Sequence, residues 1–252
     1  MFGEIFDDIS TERSKDASLA DRKAMGMDAD TTLTYGEIDS AAPVRKLLVR
    51  LRDEFGIAAL QTRDDYTSAD ATFYDLGSGS GRPVVAAALE LRGCGRWRCT
   101  GVELLPGLLQ LSLEAQLRYD AVIADKCRAE GGGGDAGGAG CAPSAPSAPS
   151  VEFHLGSLYD LDTCDWSQGD IVFANSTCFD ADMMLRLHRL TGVMKKGSVL
   201  ISLSTPMDDQ ERLVKMCNLL PPTARARAEA RAAAQEDRKQ VGNGQGGQGV
   251  GQ

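Results

Sequence analysis

From Leu33 onward the apolar positions fall into a regular succession of helical and strand-like periods. Val44, Leu47, Leu48, Leu51 and Phe55 recur every three or four residues, which predicts an amphipathic helix over 40–55 with Asp39 or Ser40 as its N-cap. The chain then alternates. Short apolar runs predict strands at 72–76, 98–103, 151–155, 170–174 and 198–203. Helical spacing predicts helices at 82–91, 106–129, 181–194 and 208–220, the second opened by Pro106 and the last stopped by Pro221 and Pro222. Five strands with helical crossovers between most of them imply a mostly parallel, doubly wound α/β sheet covered on both faces.

Two segments break the pattern. Residues 131–150 hold seven Gly, three Pro and three Ser, and residues 242–252 alternate Gly with Gln; neither has enough apolar surface to bury, so both are expected to be disordered. An insert between a helix and a strand costs little loop entropy, so it need not divide two domains. The organisation that follows is an acidic segment at 1–32, a core domain at 33–220 and a helix-prone Ala/Arg segment with a Gly/Gln tail at 221–252.

Composition narrows the function. Of 252 residues, 42% are hydrophobic and 25% charged, which suits a packed globular core. No apolar run reaches membrane-spanning length, and the acidic start is unlike a secretory signal, so no membrane role and an intracellular location are expected. Seven cysteines without CxxC pairs argue for reduced, mostly buried thiols, and with two histidines no metal site is expected. The net charge of −9 disfavours a general grip on nucleic acid. Any phosphate contact would be local, through Arg225, Arg227 and Arg231, although acids in the same segment offset them.

The sharpest chemical signal is the stretch from Phe73 and Asp75 through Gly77, Ser78, Gly79 and Gly81 to Arg82: a strand, a glycine-rich turn, then a helix with Pro83 in its first turn. Bare backbone lets a ligand approach closely, and the helix start offers unpaired N–H groups. The spacing is G-x-G-x-G rather than the dinucleotide G-x-G-x-x-G. It resembles the first motif of class I S-adenosylmethionine-dependent methyltransferases; a tight turn without ligand is the alternative. Glu103 ends the next strand, where a carboxylate can accept both hydroxyl hydrogens of a ribose. NAD carries that ribose too, so a dehydrogenase remains a further alternative. Asn175 to Phe179 follow the 170–174 strand without an acid or histidine base, which suits methyl transfer, where alignment does most of the work. Asn175 could instead cap the following helix.

Together these motifs resemble the disruptor-of-telomeric-silencing family of non-SET histone-lysine methyltransferases. Tyr35, Gly36 and Glu37 are similar to its Y-G-E loop, which closes over the cofactor. Residues 73–81 resemble its D-L-G-S-G-x-G turn, 101–103 its G-[IV]-E strand, 171–179 its lysine-channel segment, and 194–197 and 202–206 two later landmarks. Arg82 stands where the family has Gln. Ser157 and Leu158 stand where an acid and an aromatic would meet adenine, Ser176 replaces an Asn, and nothing beyond Pro206 matches the family's terminal strands.

The resemblance implies a Rossmann-like class I methyltransferase fold lacking the family's last strands, S-adenosylmethionine as cofactor, and a histone or nucleosome as partner in the nucleus, with the cytoplasm as the alternative. It implies that Tyr35, Gly36, Glu37, Phe73, Asp75, Gly77, Ser78, Gly79, Gly81, Arg82, Glu103, Ser157 and Leu158 hold the cofactor, and that Asn175 and Phe179 orient the incoming lysine amine, with lysine seventy-nine of histone H-three as the family's substrate. A non-histone or small-molecule acceptor, and a non-catalytic cofactor-binding scaffold, are the alternatives.

Overall fold

The computed structural model describes residues 1–27, 38, 40–55, 71–131 and 148–203. The Y-G-E loop, most of the Gly/Pro insert, the 208–220 helix and Arg225, Arg227 and Arg231 lie outside the described residues.

Five strands, β1 (Ala71–Leu76), β2 (Trp97–Glu103), β3 (Ser150–Leu155), β4 (Ile171–Ala174) and β5 (Val199–Ser202), form one sheet in the order β3-β2-β1-β4-β5. Every neighbouring pair is parallel. This is the Rossmann-like, doubly wound sheet that the sequence predicts. The chain starts in the middle at β1, runs outward through β2 and β3, then crosses back to β4, so the strand order reverses beside β1. That reversal opens a crevice at the carboxyl ends of the strands.

Strand alternation sorts the core into two halves. On one face Phe73, Cys99, Val151, Ile171 and Phe173 meet helices α1 (Phe2–Ile5), α3 (Ala42–Asp53), α4 (Arg82–Glu90) and α5 (Pro106–Gly131). Helix α2 (Thr11–Ala24) packs along α5. On the other face Tyr74, Leu76, Val102, Val172 and Ala174 pack with Cys164, Trp166 and Leu187 of α6 (Ala181–Leu190). Trp166 is fully buried, and its indole N–H donates to the Leu158 carbonyl at 2.7 Å, which pins the long β3–β4 connection to the sheet.

Several expectations need correction. The acidic segment at 1–32 joins the fold: Ile5, Phe6 and Ile9 enter the first core, and α2 is a helix capped by Ser10. Helix α3 starts at Ala42 and its N-cap is Ala41, without a side-chain bond, rather than Ser40; Asp39 lies outside the described residues. Helix α6 ends at Leu190, not 194, and tightens into a 3-10 turn over Thr191–Val193, where the Thr191 hydroxyl donates to the His188 carbonyl at 2.6 Å. Of the five cysteines described, all free, Cys99 and Cys164 are buried and three are half-buried; burial pushes the Cys164 thiol up to about 11.

Replacing Trp166 with Ala removes the largest fully buried side chain and the anchor of the β3–β4 connection. Urea unfolding should show a loss of about 3–5 kcal/mol; a loss under 1 kcal/mol, the size of an exposed substitution, would mean that the connection is not part of the core.

Candidate functional site

The site forms where β1 stops. Gly77 and Ser78 turn back on β2, both N–H groups donating to the Val102 carbonyl at 2.9 and 3.1 Å, and Gly81 N–H closes the turn on the Ser78 carbonyl at 2.9 Å. Gly77 and Gly81 sit at φ +77° and +86°, a region costly to residues with a Cβ. The two differ in surroundings. A Cβ on Gly77 would meet nothing within 4 Å, so this part of the turn presents open backbone. A Cβ on Gly81 would overlap the Phe153 ring, and one on Gly101 would fall 2.6 Å from both that ring and Ser78 Oγ. Phe153 of β3 thus supports the turn from beneath, a role that its sequence position did not signal.

Glu103 joins the turn directly. Its Oε2 accepts from Gly79 N–H at 2.7 Å and its Oε1 from Leu105 N–H at 2.9 Å. The side chain is buried, at 6% exposure. Burial raises its pKa from the ordinary value, the backbone N–H bonds oppose the rise, and the charge of Asp21 adds to it. Glu103 is also held by the Leu104 backbone amide, so three backbone N–H groups fix its carboxylate at the strand end. Ser78 Oγ is also buried and, among the described residues, has no hydrogen-bond partner.

Asp75 is fully buried on β1, in register with Gly101 and Phe173. Gly156 N–H donates to the Glu103 carbonyl at 2.9 Å, which brings Ser157 and Leu158 to the same edge. Ser157 Oγ accepts from Tyr159 N–H at 3.2 Å, and Leu158 packs against the second core. Asn175 follows β4, whose last residue is in register with Leu76, so Gly77, Glu103 and Asn175 end three adjacent strands on one rim. Asn175 does not cap a helix with its side chain; its Oδ1 accepts from the Thr177 hydroxyl at 3.2 Å. Phe179 packs on the second core beside Leu158 and Tyr159.

Two expected cofactor residues are placed elsewhere. Phe73 is fully buried under the helices, and its role there is packing. Arg82 is buried with its guanidinium donating to the Ile9 carbonyl and lying 4.5 Å from the centre of the Phe6 ring, so it ties the amino-terminal segment to the turn. Asp21 of α2 was not foreseen: its Oδ2 accepts from Gly107 N–H at 2.6 Å at the start of α5. Tyr35, Gly36 and Glu37 lie outside the described residues.

No protein-family model matches the chain, and no curated protein matches its sequence. Among solved structures it is similar to an rRNA methyltransferase from Streptomyces viridochromogenes, 15% identical over 71% of this chain and 82% of that one, with TM-score 0.39. It is similar to a precorrin-6y C5,15-methyltransferase from Geobacter metallireducens, 15% identical over 73% and 75%, with TM-score 0.36. It is also similar to an O-methyltransferase of tomaymycin synthesis from Streptomyces achromogenes, solved with S-adenosylmethionine, 14% identical over 90% and 78%, with TM-score 0.34. Scores at this level do not decide a function, and none of the three bears on the histone-lysine family. The site is read from its own residues.

Two outcomes test this geometry. Gly77→Ala should cost about 1–2 kcal/mol, the strain of a left-handed alanine, whereas Gly81→Ala adds a clash with Phe153 and should cost clearly more; equal losses in thermal melts would contradict the placement of Phe153. For Glu103 the pKa is raised on folding, so the folded state binds the proton more tightly, and the group's contribution falls as pH rises from its ordinary 4.5 through the folded value. Urea melts across that window should show wild type losing stability relative to Glu103→Gln, and parallel curves would contradict the burial.

Proposed function

We propose that this chain is an S-adenosylmethionine-dependent methyltransferase. The observation that carries the reading is the contact between the open glycine turn and the buried strand-end acid, Gly79 N–H to Glu103 Oε2 at 2.7 Å. The residues present suit such a cofactor. Gly77 offers uncovered backbone to its amino-acid end, and Glu103 ends the adjacent strand with a carboxylate that would meet the ribose hydroxyls. When bound, the cofactor supplies a methyl group already activated on a sulfonium. The G-x-G-x-G spacing favours it over a dinucleotide.

The protein then has to align an acceptor and exclude water. Asn175 stands at the end of β4 with a side-chain amide, and Phe179 and Tyr159 pack on the second core behind that face of the sheet. A lysine delivered neutral into such surroundings is favoured by desolvation. Asn175 and the strand rim would orient that nitrogen, and the bound cofactor would supply the activated methyl group. We infer a protein-lysine acceptor, with a nucleosomal histone first among candidates, from the ordered run of motifs between Leu33 and Pro206. The −9 net charge favours the second reading, a non-histone protein or small-molecule acceptor, since a wrapped nucleosome repels an acidic surface.

Calorimetry with S-adenosylmethionine, and radiolabel transfer to nucleosomes, free histones and cell extract, test both levels. Binding should be saturable and lost in Gly79→Arg and Glu103→Ala, with label on a histone. Label confined to other acceptors contradicts the histone reading, and no binding by the folded wild type contradicts the methyltransferase reading itself.

A further inference from the structure

Helix α2 has little apolar surface with which to hold its place. Its buried residues are Ser14 and Ser18, and the Ser18 hydroxyl is buried with no partner among the described residues. Polar contacts must therefore fix it. The Arg13–Glu114 pair at 2.9 Å is largely exposed and contributes little. The half-buried bond from Gly107 N–H to Asp21 Oδ2, at 2.6 Å, is charge-assisted and lies at the start of α5, where the helix dipole favours an anion. Position 107 is built for it: a Cβ there would fall 2.8 Å from that oxygen.

The same helix start serves the site. Leu105 N–H donates to Glu103, and Gly107 N–H, two residues on, donates to Asp21. Two carboxylates thus share one helix terminus, one from the sheet and one from α2. We propose that Asp21 is a positioning residue of the nucleoside site, seating α2 on the Gly107 amide at the same helix start whose Leu105 amide holds Glu103. The proposal rests on the reading of Glu103 given above. Burial is the main cause that raises the Glu103 pKa, the backbone bonds oppose it, and the charge of Asp21 adds the smallest share to the rise. Charged groups on the surrounding elements include Asp75 of β1, Arg82 of α4, directed to Ile9, Arg22 of α2, and the Arg13–Glu114 and Arg118–Asp8 pairs between the amino-terminal segment and α5.

Two variants of the full chain separate the charge of Asp21 from its bond. Asp21→Asn keeps an acceptor oxygen for Gly107 and removes the charge, whereas Asp21→Ala removes both. Glu103 is followed by carbon-13 carboxyl titration, Gly107 by amide hydrogen exchange and the site by calorimetry with S-adenosylhomocysteine. The titration midpoint of Glu103 should move to lower pH in both variants. Gly107 exchange should accelerate, and ligand affinity fall, by about tenfold in Asp21→Ala, the size of a lost cap. An unmoved Glu103 midpoint in Asp21→Asn, or unchanged Gly107 exchange in Asp21→Ala, overturns the proposal. Titration and exchange need no ligand, so a wild type that fails to bind S-adenosylhomocysteine overturns the cofactor reading separately.

Discussion

The hydrogen bond from Gly79 N–H to Glu103 Oε2 joins the two features on which the site depends. It forms only because β1 and β2 are parallel and in register up to Leu76 and Val102, so both strands end at the same height. It also requires the positive φ of Gly77, Gly79 and Gly81, which glycine adopts most readily. The cost is a carboxylate buried in the protein, offset by the backbone N–H groups of Gly79, Leu104 and Leu105 at the start of α5. An acid held this way is fixed in direction before any ligand arrives, and such preorganisation is what recognition of a diol needs.

The two faces of the sheet contribute differently. The face beneath α3, α4 and α5 is the rigid one, where Phe153 fills the hollow left by Gly81 and Gly101 and so fixes the turn. The opposite face is covered among the described residues by α6 and by the Trp166-anchored connection. The β4 end of the strand rim is therefore followed by loop residues, Phe179 among them, while the β1 end leads into the helix α4. Loops on a firm scaffold are where specificity usually varies. The amino terminus adds a third contribution: Phe6 and Ile9 engage Arg82 directly after the turn, and Asp21 engages α5 beside Glu103.

Much of this was readable from the sequence, for identifiable reasons. The strands announced themselves as apolar runs bounded by Gly and Pro, and the glycine turn by its spacing and its place between strand and helix. Helix α2 was not readable, because its packing face is Ser14 and Ser18, and serine leaves no hydrophobic period to count. Phe153 reads as one more strand residue, since its importance lies in two glycines distant in sequence. Arg82 followed the glycine motif closely enough to be grouped with it, yet its long side chain reaches the amino-terminal segment. The end of α6 was overextended because Val193 and Met194 continue an apolar period that Thr191 and Gly192 interrupt.

A crystal structure of the full chain with S-adenosylhomocysteine tests the central claim most directly. The account predicts both ribose hydroxyls within hydrogen-bond distance of the Glu103 carboxylate and the amino-acid end of the ligand lying on the backbone of Gly77 to Gly79. A ligand seated away from that strand rim, or a Glu103 that turns from it while keeping its bond to Gly79, would contradict it.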